Sequence, residues 1–165
     1  MADNLASEST LAQRRFLLEQ IESRLRVQFD ELDGLDRKAT TVLAATGVTL
    51  GLVINNAGSI SNSPAQVGFL FYTALVVLAA GLVQGILALW PRRIQVVPDP
   101  GPFLEQHQTS PLEFIIGELV STKALAFAIN HPIPKLKGDR VRIQMVLLAI
   151  GGTLLVASYV VERLA

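Results

Sequence analysis

The chain has 165 residues, half of them hydrophobic and only 6% aromatic, with a mean hydropathy of +0.43. Charged residues make up 17%, against about 25% in an average soluble domain, and fourteen basic residues balance fourteen acidic ones. That balance argues against a nucleic-acid partner, and the lack of cysteine excludes disulfides and thiolate metal sites. The amino terminus, MADNLASEST, is polar and lacks the basic-then-apolar order of a secretory signal, so no export cleavage is expected.

Leu11, Leu18, Leu25 and Leu32 recur every seven residues. Ile21 and Leu35 follow two of them by three positions, while Arg14 and Gln28 fill the same slot elsewhere. Good helix formers occupy the rest, which predicts a cytoplasmic amphipathic or coiled-coil helix over 1–38. Three uses fit such a seam: packing on the protein's own cytoplasmic segment, self-association, or lying along a membrane surface. Acidic residues from Glu19 to Asp36 offset Arg14, Arg15, Arg24, Arg26, Arg37 and Lys38, which weakens the last.

Residues 39–91 carry no charge at all. About twenty apolar residues cross a bilayer, so this run reads as a transmembrane hairpin, with spans over about 40–57 and 66–90. Gly58-Ser-Ile-Ser-Asn-Ser-Pro64 is a turn by composition, Trp90 suits the interface, and Pro91 ends the second helix. Arg37 and Lys38 precede the hairpin, Arg92 and Arg93 follow it, and the turn is uncharged. The amino terminus is therefore expected inside and the turn outside.

Each span holds two glycines four apart, Gly47 with Gly51 and Gly81 with Gly85, and Ala44 and Asn55 extend the first strip. Small residues at this spacing let helices approach closely in lipid, either within one subunit or in an oligomer lining a membrane defect. Gln84 should face protein or water, because hydrocarbon leaves its amide unsatisfied.

The segment 92–142 reads as a cytoplasmic insert. Ile94–Val97 suggests a short extended piece, and Pro98, Pro100, Gly101 and Pro102 an irregular connector. Ser110-Pro111-Leu112-Glu113 then carries a cap, a first-turn proline and a capping-box glutamate, predicting a helix over about 111–129. Its apolar side holds Ile115, Ile116, Leu119, Val120 and Phe127, while Glu113, Glu118 and Lys123 disqualify it as a span. Asn130-His-Pro-Ile-Pro134 is expected to stop it.

Lys135, Lys137, Arg140 and Arg142 form a second inside flank before the apolar run 143–161. Gly151 and Gly152 give that run another point of close approach, and the carboxyl terminus is expected outside. The expected fold is an all-α membrane protein: an amino-terminal amphipathic helix plus three transmembrane helices with a helical cytoplasmic insert.

Catalytic parts are missing from this pattern. His107 and His131 sit in expected loops with no carboxylate at ligand spacing, so no metal site is expected. No Asp, Glu, Lys, Arg or His lies inside a span, there is no phosphate-cradling Gly-Lys-Ser loop, and no serine has an identifiable partnered base. The chain is not expected to be an enzyme. One binding possibility remains: Arg37, Lys38, Arg92, Arg93, Lys135, Lys137, Arg140 and Arg142 should share the inner membrane face. Such a ring, with the helix start at Pro111, suits a phosphate-bearing ligand, or it serves only to set topology and meet lipid headgroups.

Residues 32–54, LDGLDRKATTVLAATGVTLGLVI, resemble the signature of the transmembrane effectors of Pycsar, the bacterial pyrimidine-cyclase antiphage systems. These are related to the broader class of SLATT membrane effectors. The family pattern is an amphipathic helix, Asp-x-Lys-Ala at the membrane entry, a span with a mid-helix glycine, a second span ending near proline, and a basic cluster before a third. Asp36, Lys38, Ala39, Gly47, Pro91 and the 135–142 cluster fill those positions. The His131–Pro134 break departs from it, since relatives run a helix straight into the last span.

The resemblance implies an inner-membrane effector with cyclic CMP or cyclic UMP as a possible ligand. Its functional partner would be a nucleotide cyclase acting through its product. The effector would form a homo-oligomer in the lipid bilayer and impair membrane integrity, so that the infected cell fails before the phage matures. The rival reading is a non-enzymatic three-span scaffold or accessory subunit that holds a protein partner through its cytoplasmic helices.

Overall fold

The computed structural model describes residues 2–60, 64–91, 94 and 100–164, and all the elements it shows among them are helices. They are α1 (Ala2–Ile60), α2 (Ala65–Leu89), α3 (Pro100–Gln106), α4 (Leu112–Asn130) and α5 (Pro132–Leu164). By length and composition, three helical stretches can cross a membrane: Thr10–Asn55, Ala65–Leu89 and Leu112–Leu164. This is an all-α, multi-pass membrane protein.

No break separates the amphipathic arm from the first apolar run; α1 continues through both. The sequence explains this, because no proline occurs before Pro64 and an interrupted backbone in hydrocarbon would leave polar groups unpaired. The threonines of α1 deal with their hydroxyls the same way: Thr46 Oγ1 donates to the Val42 carbonyl at 2.7 Å and Thr49 Oγ1 to Ala45 at 2.8 Å. Helix persists to Ile60, past the expected turn start at Gly58, and positions 61–63 of that turn lie outside the described residues.

The structure corrects three local expectations. Pro100, Gly101 and Pro102 open α3 rather than an irregular connector, since the first helical turn needs no N–H from proline. Pro98 and the expected extended piece, apart from Ile94, fall outside the described residues. The capping box does not form: no side chain caps α4, Phe114 and Ile115 donate to the Pro111 carbonyl, and Ser110 Oγ lies 3.4 Å from His107 Nδ1.

The expected stop after Asn130 is only a one-residue interruption. His131 keeps helical dihedrals (φ −52°, ψ −41°) and donates its N–H to the Phe127 carbonyl, and α5 begins at Pro132. Pro132 and Pro134 occupy its first turn, where their missing donors cost little. The basic run 135–142 is therefore helical.

The chain divides into two compact units, Met1–Leu32 with Arg92–Pro134, and Asp33–Pro91 with Lys135–Ala165. In the first, Leu25, Gln28 and Leu32 of the leucine seam are buried, as are Ile116, Ala126 and Asn130 of α4. Cross-helix polar contacts reinforce this packing: Arg14 donates to the Glu113 carbonyl, and Lys123 pairs with Glu22. The Leu25–Leu32 part of the seam is thus packed within the chain, while Leu11 and Leu18 are half-buried.

In the second unit, three helices meet in layers spaced three and four residues apart. Ala39, Ala88 and Val141 form one layer, and Val67, Phe71, Ala74 and Leu78 continue the buried stripe of α2. Outward-facing side chains such as Val48, Ile54, Phe69, Val76 and Val156 are exposed and apolar, as lipid contact requires.

Candidate functional site

The motif residues at the membrane entry hold the second unit together. Asp36 Oδ1 lies 2.5 Å from Lys137 Nζ, joining α1 to α5, and Lys137 is only 8% exposed. One helical turn further, Ala39 is fully buried in a cluster with Ala88 and Val141. Arg140 Nη1 donates to the Leu87 carbonyl at 2.9 Å, satisfying one of the unpaired carbonyls at the end of α2. Lys38, the other charged motif residue, is exposed.

The basic ring expected from the sequence is thereby divided. Arg37, Lys38, Lys135 and Arg142 are exposed, whereas Lys137 and Arg140 are engaged in packing contacts. Arg92 and Arg93 lie outside the described residues. In sequence the six described cations look alike; their register on α1 and α5 is what separates them.

The glycines divide as well. A Cβ on Gly81 would sit 3.4 Å from Leu147 Cβ, and one on Gly85 would overlap the Gln144 amide and come within 2.8 Å of Leu43 Cδ1. A Cβ on Gly151 would reach 2.6 Å from Leu78 Cγ. These three allow α2 to meet its neighbours closely. By contrast Gly47, Gly51 and Gly152 have nothing within 4 Å of a Cβ among the described residues, and Ala44, Gly47, Gly51 and Asn55 are all exposed. Gln84 is half-buried.

Gln144 is the polar residue that the sequence reading missed. It is fully buried in an apolar layer, and neither its carbonyl nor its amide nitrogen meets a partner among the described residues. Its place in the 137, 141, 144 row of α5 was the available signal.

In the first unit a second arrangement appears. His107, expected in a loop without a carboxylate, is buried with Nε2 3.1 Å from Glu118 Oε2. The rings of Phe103 and Phe114 flank it, with centroids 4.6 and 5.8 Å away. Beside it lies an open cleft of about 410 Å³ lined by Arg14, Phe114, Gly117, Glu118 and Ser121. Arg14 Nη1 donates to the Glu113 carbonyl at 2.6 Å and would stand 3.2 Å from a Cβ on Gly117, so glycine there lets the guanidinium lie against α4. The only hint in the sequence was an arginine intruding on a leucine seam. Among the described residues no three His, Asp or Glu side chains converge as a metal site would need.

A family model described as the Pycsar effector protein domain (PycTM) matches residues 20–129, from within α1 to the last turn of α4. No curated protein and no solved structure matches the chain.

Proposed function

Since the chain belongs to the Pycsar effector protein family, a membrane effector of bacterial antiphage defence, we propose that it answers a cyclic pyrimidine nucleotide by assembling and breaching the inner membrane. The family match over residues 20–129 carries this reading, because it covers the membrane entry and the first two apolar helices. Cyclic CMP or cyclic UMP, made by a partner cyclase, is the signal. The effector itself is non-catalytic.

Assembly uses the Ala44–Gly47–Gly51–Asn55 face. These residues lie three, four and four positions apart and share one side of α1. In lipid, where no hydrophobic force drives helices together, close backbone approach and amide pairing between copies supply the attraction. The exposed Arg37, Lys38, Lys135 and Arg142 keep the amino terminus and the α4 segment in the cytoplasm, with the carboxyl terminus outside.

A ligand shifts such an assembly only by binding the active arrangement more tightly than the resting one. The test is uptake of a membrane-impermeant dye by cells producing the protein with a cyclic CMP or cyclic UMP cyclase. Uptake should follow the nucleotide. Intact membranes under either cyclase, with the protein correctly inserted, would contradict the proposal.

A further inference from the structure

We infer that the cleft between α1 and α4 in the first unit is the seat of the nucleotide, with Arg14 taking the phosphate and the Phe114–Glu118 row taking the base. This rests on the effector reading above and assigns its signal to a place away from the basic flanks of the membrane. Three observations converge on it.

The first is an unbalanced cation. Arg14 is half-buried, yet among the described residues no carboxylate pairs with it, although Glu118 lines the same cleft. Of its five N–H donors one is spent on the Glu113 carbonyl, which fixes the guanidinium in place. The remaining donors form the planar fork that suits a phosphate. Gly117 has no side chain to compete for that position.

The second is an aromatic face. Phe114 is 56% exposed, and it lies one turn before Glu118 on the same row. An exposed ring beside a cation fits a ligand that joins a flat base to an anion. Stacking on an aromatic ring is a common and strong means of holding a nucleic-acid base.

The third is polarity at the base end. One oxygen of Glu118 lies 3.1 Å from His107 Nε2 on the buried side of the cleft, outside hydrogen-bonding geometry. A carboxylate accepts hydrogen bonds and donates none. It suits the exocyclic amine of cytosine and repels the carbonyl that uracil carries at the same place. The cleft volume falls within the usual range for small-ligand pockets, about 300–1,000 Å³.

Titration calorimetry on the full chain in detergent, with cyclic CMP, cyclic UMP and inorganic phosphate as probes, tests the assignment. Cyclic CMP should bind tightest and phosphate weakest. Arg14→Ala should weaken cyclic CMP about tenfold or more, with part of the loss restored by Arg14→Lys. Because Arg14 also tethers α1 to α4, Ser121→Trp serves as a second variant that fills the cleft and leaves that tether alone; it too should abolish binding. Lys135→Ala and Arg142→Ala should bind as the parent does. Absence of binding to the parent, unaltered binding in Arg14→Ala and Ser121→Trp, or losses that track Lys135 and Arg142 instead would each overturn the assignment. The effector reading fails on a separate readout: cyclase-dependent dye uptake that never occurs even though the nucleotide binds.

Discussion

Gly47–Gly51 and Gly81–Gly85 share one spacing and one kind of apolar helix, yet their surroundings are opposite. The second pair is filled by its own chain, with Leu147, Gln144 and Leu43 against the glycine surfaces. The first pair is bare, with no atom of the described residues within 4 Å of either would-be Cβ. The difference teaches that a small-residue motif specifies close approach but not the partner. One pair is packed within the chain, and the other is the face that the proposed assembly would use.

The largest expected effect comes from spoiling the filled pair. Gly85→Leu forces a side chain into the Gln144 amide and Leu43, and should destabilise the protomer by more than about 2 kcal/mol, read as a fall in Tm in detergent. If Gly85→Leu melted like the parent, the packed pair would not be the structural one.

Next is the ion pair that ties α1 to α5 above these layers. Asp36→Asn leaves Lys137 buried without a counter-charge; the part-exposed Asp36 moderates the loss to about 1–3 kcal/mol. Adding Lys137→Met should return much of that stability, and additive losses in the double variant would show that the two do not act as a pair.

A smaller change, of opposite sign, is expected at Gln144. Gln144→Met keeps the shape and removes a buried amide with no partner among the described residues, so the protomer should gain roughly 1 kcal/mol. A loss of stability would mean that the amide is satisfied in the folded protein.

The sequence carried the fold because lipid imposes a simple rule: residues 39–91 contain no charge, and a helix is the economical answer. It carried less of the site. Lys135 and Lys137 are chemically equivalent in a list of residues, and only the 137, 141, 144 register of α5 puts the latter against Asp36. His107 and Glu118 are brought together by the Thr109–Pro111 corner between α3 and α4, a geometry no residue spacing encodes. Pro132 and Pro134 read as a stop because proline blocks a helix interior, whereas here they begin one. The two glycine pairs are the clearest case, since their difference resides wholly in what stands opposite.

That difference is open to direct measurement, because the chain has no cysteine of its own. Ala44→Cys, on the bare face of α1, should give disulfide-linked dimers and higher species in membranes when the nucleotide is present. Val76→Cys, on an exposed face of α2, should not. Adding Gly47→Leu and Gly51→Leu should abolish the Ala44→Cys crosslinks and shift the stability of the protomer by only about 0.5 kcal/mol. Crosslinks that survive the two leucines, or that form as readily through Val76→Cys, would contradict assembly through this strip.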